Sequence, residues 1–217
     1  GASFMGRAHS NGYLDVAHYF DLPRPPKLHT VCDVNISTAD ALAQQYGWQN
    51  TEKSWERLVQ RDDIDLIDIC TSNKTHKPIA VAAAKNGKHI ICEKPIALSA
   101  DEAKSMYEAA QEAGVRHMTA FNYRRVPALV LAKKMIDEGK IGKIYHFNAV
   151  YYQDWLVDPN FPYVWRHDVK EGGSGAHGDM NAHTVDLARF LVGEVEAISA
   201  VQETFIKERK KGDGSFG

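Results

Sequence analysis

The feature that most limits the fold is an alternation. Short apolar runs at Lys27–Cys32, Asp65–Cys70, His89–Cys92 and Val115–Phe121 are separated by stretches with helical spacing. Those stretches are Arg7 to Phe20, Ser37 to Tyr46, Ser54 to Gln60, Lys77 to Asn86 and the segment from Ser99 to Gly114. In the second, Ala39, Leu42, Ala43 and Tyr46 recur as one helical face. The last opens on a capping box, Ser99 with Glu102 three residues on. Strands that alternate with helices of this length need crossover connections, so the sheet is parallel and doubly wound. The runs are almost unbroken in apolar character, as strands covered on both faces require.

After Phe121 the pattern changes. Pro127 opens a helix that runs to Glu138 and Gly139 ends it. Lys143 to Tyr152 and Glu196 to Ile206 read as longer strands of a second, antiparallel sheet, with Ile144, Phe147 and Val150 alternating. The fold class expected is a Rossmann-like doubly wound parallel sheet followed by a partial α+β domain with a mostly antiparallel sheet. Residues 1–121 form the first domain and residues 122–217 the second.

Chemistry gathers at the ends of the runs. Gly1-Ala2-Ser3-Phe4-Met5-Gly6 has the outline of Gly-x-Gly-x-x-Gly, with Ser3 for the middle glycine. Asp33, at the end of the next strand, lies further on than the roughly 20 residues such a fingerprint expects. The loop around Pro23, Pro25 and Pro26 accounts for the excess. An acid here accepts hydrogen bonds from ribose hydroxyls and repels a 2′-phosphate. Val34 and Asn35 follow rather than an arginine, so NAD is favoured over NADP. Asp33 as a simple helix cap is the competing reading. At the end of the run His89–Cys92, Glu93-Lys94 sits where the chain leaves the sheet, and Pro95 bars the strand from continuing. Ligands of open α/β sheets bind at such strand ends; an ordinary solvated strand end is the bland alternative.

A second cluster follows the flexible run Gly172 to Gly178. On a helix, Asp179, His183 and Asp186 fall on one face. A histidine one turn from a carboxylate suits a general base. A surface ion pair, a metal set with His177 or a satisfied core histidine would explain the same spacing. The remaining histidines offer no second cluster, and Cys32, Cys70 and Cys92 have no zinc-like spacing, so no metal is expected.

Taken together, these motifs resemble the Gfo/Idh/MocA family of NAD(P)-dependent sugar and inositol dehydrogenases. The resemblance rests on Glu93-Lys94-Pro95, the turn Thr71 to His76, Phe121-Asn122-Tyr123-Arg124 and the run Gly178 to Asp186. It implies hydride transfer from a secondary hydroxyl of a sugar, anhydrosugar or inositol to NAD, with Lys94, Asp179 and His183 catalytic. The cofactor would be held by Gly1, Ser3, Phe4, Met5, Gly6, Asp33, Thr71, Ser72, Asn73, His76, Glu93 and Lys94. The substrate would meet Lys94, Asn122, Tyr123, Arg124, Trp165, Arg166, Asp179 and His183. A non-catalytic NAD-binding regulator and an NAD-dependent glycosidase are the alternatives within that fold.

The family's chains are longer, which implies that this sequence is part of a longer protein, inactive alone, and a homo-oligomer when complete. In the strand order 3-2-1-4-5-6 a first strand would separate Leu28–Cys32 from Leu66–Cys70 by two strand spacings, about 9.6 Å. A net charge of −2 argues against nucleic acid or an anionic membrane surface as partner. The three isolated cysteines suit a reducing cytoplasm.

Overall fold

The structure, a computed structural model, describes residues 1–217. It divides into two compact units, Gly1–Ala120 and Phe121–Gly217.

The first unit alternates helix and strand throughout. Its elements are α1 (Phe4–Tyr19), β1 (Thr30–Cys32), α2 (Ile36–Tyr46), β2 (Asn50–Glu52) and α3 (Trp55–Val59). β3 (Leu66–Ile69), α4 (Asn73–Lys85), β4 (His89–Cys92), α5 (Ala100–Glu112) and β5 (His117–Thr119) follow. All strand pairs are parallel: β1 with β2, and β3 with β4 with β5. β1 and β3 share no ladder, as the strand order anticipates. Gly1 lies at the C-terminal ends of both. Its amino group donates to the Cys32 carbonyl at 2.9 Å, and a Cβ on it would come within 2.3 Å of the Cys70 carbonyl oxygen.

The main core fills the space between the β3–β4–β5 sheet and its helices. Ile67, Ile69, Ile90 and Cys92 meet Ile79, Ala80, Ala83 and Ala84 of α4. The alanines matter because a small face lets the helix lie close to the sheet. Burying an isoleucine of this kind stabilises by roughly 1.5–3 kcal/mol.

Three local features differ from the sequence reading. α4 begins at Asn73 rather than Lys77, so the polar stretch after Thr71 is mostly helix, not turn. Thr75 donates its hydroxyl to the Ser72 carbonyl at 2.7 Å, while Asn73 and His76 turn inward and are buried. β2 has no apolar pattern to reveal it, because Asn50-Thr51-Glu52 pairs through its backbone at a sheet edge. In α5, Ser99 accepts from the Glu102 N–H at 3.2 Å, but Glu102 reaches back to the Leu98 N–H, one residue earlier than a capping box requires.

The second unit is built on α6 (Pro127–Asp137), α7 (Val169–Gly172) and α8 (Ala182–Leu191). Short 3-10 turns lie at Asn122–Arg125 and Trp165–His167, and a π-helical turn at His177–Asn181 leads into α8. Neither Lys143 to Tyr152 nor Glu196 to Ile206 is a strand. Period-two alternation stabilises a strand only when one face is covered and the backbone is paired. Here Tyr145, Tyr152, Ile198, Val201 and Phe205 are exposed. The lone bridge of this unit is antiparallel, Lys210 with Phe216. Beside it the buried Arg209 guanidinium donates to the carbonyls of Leu156, Asp158 and Phe161.

Ile69 is almost fully buried at the centre of the main core. Ile69→Ala is expected to destabilise the first unit by about 2–5 kcal/mol, read as a lower urea midpoint at unchanged slope.

Candidate active site

In the first unit the site begins with the glycine turn. A Cβ on Gly6 would lie 2.2 Å from the Gly1 carbonyl oxygen, so only glycine permits this approach. The turn delivers the chain to the N-terminus of α1. Ser3 caps that helix in an extended conformation with no side-chain bond to the first turn, and no acid lies there. The N-terminus of a long helix with its first N–H groups left for a ligand favours an anion such as pyrophosphate. Phe4 is exposed at this end and Met5 half-buried.

Asp33 closes β1 beside the turn. One carboxylate oxygen accepts the Ala2 N–H at 2.8 Å, and the other accepts the Asn35 N–H at 2.9 Å. Asp33 therefore joins the glycine turn to the entry of α2, whose N-cap is Asn35. At the end of β3, Thr71 and Ser72 lead into α4. The fully buried His76 places Nδ1 3.0 Å from the Pro95 carbonyl oxygen and Nε2 3.2 Å from that of Thr71. Burial pushes its pKa down despite those carbonyls. His76 thereby ties α4 to the segment after β4.

That segment is Glu93-Lys94-Pro95, with a cis peptide bond before Pro95. Glu93 is buried, which excludes the bland alternative of a solvated strand end for it, and Lys94 is half-buried. One Glu93 oxygen accepts the Lys94 N–H at 3.1 Å; the other lies 2.9 Å from His9 Nε2. His9 Nδ1 lies 2.8 Å from Asp68. Neither His9 nor Asp68 is among the residues the sequence singles out. The signal for them is weak: a histidine three residues after Gly6, and an acid inside an otherwise apolar strand.

In the second unit His183 is buried in an aromatic setting. It stacks on Tyr123 with centroids 4.2 Å apart, while Phe121 and Tyr151 present edges to it. The Tyr123 and Tyr151 hydroxyls hydrogen-bond at 2.8 Å. Each ring thus restrains the imidazole from a different side. Asp179 and His183 do not share one regular helix, because Asp179 is in the π-helical turn and His183 in α8. Arg166 lies 3.7 Å from Asp179 and stacks on Trp165. Asp186, the third acid of the expected face, is buried and bonded to Arg124 by two contacts of 2.8 and 2.6 Å. Arg124 is therefore committed to α8, and it also covers the Phe190 ring. Asn122 is exposed on the first turn of the same segment.

Comparison with known proteins covers both units. Residues 1–121 match the model of an oxidoreductase family with an NAD-binding Rossmann fold, and residues 129–216 match that of the GFO/IDH/MocA C-terminal domain. A levoglucosan dehydrogenase of Pseudarthrobacter phenanthrenivorans is 45% identical over 215 residues, which is 99% of this chain and 55% of that protein. A 1,5-anhydro-D-fructose reductase of Ensifer adhaerens is 32% identical over 82% of this chain and 53% of its own length. The solved levoglucosan dehydrogenase in complex with NADH and levoglucosan superimposes with a TM-score of 0.96, over 99% of this chain and 58% of that one. The chain thus spans little more than half the length of the relatives it matches.

The Arg124–Asp186 pair sets up a stability test confined to the second unit. Asp186→Ala leaves a partly buried guanidinium without its partner and is expected to lower the urea midpoint clearly. Replacing both residues by apolar ones, Arg124→Met with Asp186→Leu, is expected to cost less than Asp186→Ala alone. A double-mutant cycle measures the difference.

Proposed function

This chain belongs to the Gfo/Idh/MocA oxidoreductase family, and on that premise we propose that the protein carrying it oxidises a secondary hydroxyl of a sugar, anhydrosugar or inositol with NAD⁺. One observation carries the proposal: the chain matches, end to end and at 45% identity, a levoglucosan dehydrogenase solved with NADH and levoglucosan. That likeness favours a pyranose or anhydrosugar among the candidate substrates. Residues 1–121 are assigned to the dinucleotide and residues 122–217 to the substrate side.

The residues divide the work by charge. The first-turn N–H groups of α1, after the Gly1–Gly6 turn, hold the pyrophosphate. Asp33 accepts from the adenosine ribose. Thr71, Ser72 and Asn73 offer the start of α4, and His76 braces it against Pro95. Bound NAD⁺ supplies the hydride acceptor. Lys94 places an ammonium beside the reacting hydroxyl and favours its alkoxide. His183, held by Tyr123, Tyr151 and Phe121, takes the hydroxyl proton. Asp179 stabilises the resulting imidazolium. Trp165, Arg166, Asn122 and Tyr123 contact the sugar, and Arg124 acts by fixing α8 through Asp186.

Two finer readings go with this assignment. The alternating segments 143–152 and 196–206 are read as strands that pair in the assembled protein, supported by their exposed apolar side chains. Those side chains also support a homo-oligomer. A cytoplasmic location is proposed on the three free thiols of Cys32, Cys70 and Cys92. No helix is long and apolar enough to cross a membrane.

A panel of pyranoses, anhydrosugars and inositols with NAD⁺, followed by NADH absorbance on the complete protein, tests the reaction; no turnover with any member refutes it. Lys94→Ala is expected to lower kcat by roughly a hundredfold or more, the scale of losing one preorganised donor, with NAD⁺ affinity little changed. His183→Ala is expected to match it, and kcat/KM should lose its fall on the acidic side. Asp33→Ser with Val34→Arg is expected to raise the NADP⁺/NAD⁺ ratio of kcat/KM; an unchanged ratio would leave Asp33 as a cap alone.

A further inference from the structure

We propose that His9 is a positioning residue: an imidazolium locked between the Asp68 and Glu93 carboxylates, which ties α1 to the ends of β3 and β4 and fixes the turn that carries Lys94. The proposal rests on the assignment of Lys94 to the reacting hydroxyl.

Hydrogen-bond accounting carries it. His9 Nδ1 lies 2.8 Å from Asp68 Oδ2, and Nε2 lies 2.9 Å from Glu93 Oε1. Neutral imidazole has one donor and one acceptor, so it can serve only one of two ionised carboxylates. Both acids are already used as acceptors. The Tyr13 hydroxyl donates to the same Asp68 oxygen at 2.8 Å, and the Lys94 N–H donates to the other oxygen of Glu93 at 3.1 Å. A second proton on His9 is what completes the set. The other titratable neighbour is Cys70, whose sulfur lies 3.4 Å from His9 Nδ1 and 3.5 Å from Asp68. Burial pushes the Cys70 thiol up, so it remains a neutral donor. Burial, with Asp68 alongside, likewise pushes the Tyr13 phenol up.

The electrostatics agree with the geometry. Burial by itself would push the His9 pKa down, but the bonds to Asp68, Cys70 and Glu93 and the Asp68 charge outweigh it and raise it to about 12. The proton is then retained across the working range of an enzyme. The stabilisation it gives is complete below about 6.5, the value of an unfolded histidine, and is lost as pH climbs towards 12. His9, Asp68 and Cys70 also have the spacing of a metal ligand set, with donor atoms within 4.8 Å of one another. The two ring nitrogens, however, address carboxylates at the ends of two different strands, Asp68 in β3 and Glu93 just after β4, which is the arrangement of a strut.

The function of such a strut follows from what it joins. His9 is one turn beyond the glycine loop on α1, whose N-terminus is assigned to the pyrophosphate. Glu93 immediately precedes Lys94. Without the cation, two poorly solvated carboxylates at neighbouring strand ends repel each other and the turn shifts. A displacement of about 1 Å can cost a hundredfold in rate without removing any reacting group.

The test has two arms, both on the complete protein. In the first, imidazole nitrogen NMR of the unaltered enzyme is recorded two units above the ordinary histidine pKa of about 6.5. His9 is expected to show protons on both ring nitrogens; a single-proton tautomer overturns the proposal. In the second, His9→Gln is expected to lower kcat roughly ten- to hundredfold, with KM for NAD⁺ changed far less, and to add little in a Lys94→Ala background. Near-normal turnover of His9→Gln beside a crippled Lys94→Ala overturns the positioning role and leaves the dehydrogenase reading standing. Near-normal turnover of Lys94→Ala instead removes the reading beneath both. If His9→Gln does not fold, the paired His9→Gln, Glu93→Gln variant removes the uncompensated charge and is read in the same way.

Discussion

Two carboxylates are largely withdrawn from water at the C-terminal ends of adjacent parallel strands, Asp68 inside β3 and Glu93 just after β4. A charge so placed is tolerated only when it is paired and hydrogen-bonded. In this unit the pairing comes from α1, through His9 and Tyr13. The consequence reaches well beyond the ion pair. α1 buries little else: Gly6 and Ser10 are its only fully buried residues. A helix with so narrow an apolar contact is held by polar bonds, and those bonds point at the ends of β3 and β4. Ser10 adds to this by bonding Trp48 and the Gly6 carbonyl. Helix placement and the geometry of these strand ends are therefore one problem here, solved by the same few side chains.

What can be read from the sequence, and what cannot, follows from the range of the interactions. The strands β1, β3, β4 and β5 and the helices between them are local in origin, since a run of apolar residues or a 3.6-residue period is visible without partners. Lys94 is legible because burial accounts for neither a lysine nor a proline at the end of an apolar run. β2 is not legible, because Asn50-Thr51-Glu52 is a strand only by virtue of β1 beside it. The start of α4 is hidden because Asn73 and His76 look polar but face inward. His9 escapes for a related reason: its partners lie far along the chain, at Asp68 and Glu93, and nothing local marks it. Alternation at residues 143–152 and 196–206 is a true pattern, yet pattern without a pairing partner does not make a strand.

The second unit shows a different way of fixing a buried side chain. His183 is placed by faces and edges of aromatic rings rather than by charge. The π-helical turn before α8 matters to that placement. It adds a residue to the turn, so Asp179 and His183 are set by the join of two helical forms and not by a uniform 100° step. One regular helix would group Asp179, His183 and Asp186 on a single face. The structure separates their tasks: Asp186 anchors the helix through Arg124, His183 sits among the rings, and Asp179 has Arg166 nearby.

Asp33 joins both themes. Its carboxylate accepts the Ala2 and Asn35 N–H groups, so it holds the glycine turn and the entry to α2 together. Hydrogen bonds to an ionised acceptor contribute about 1.5–3 kcal/mol each. A carboxylate at a strand end without such bonds could be exchanged at little structural cost. Here the exchange also removes a bond to the backbone of the glycine turn. The geometry of the glycine turn and of the entry to α2 is thus tied to one carboxylate. Any replacement of Asp33 must also supply another acceptor for the Ala2 N–H.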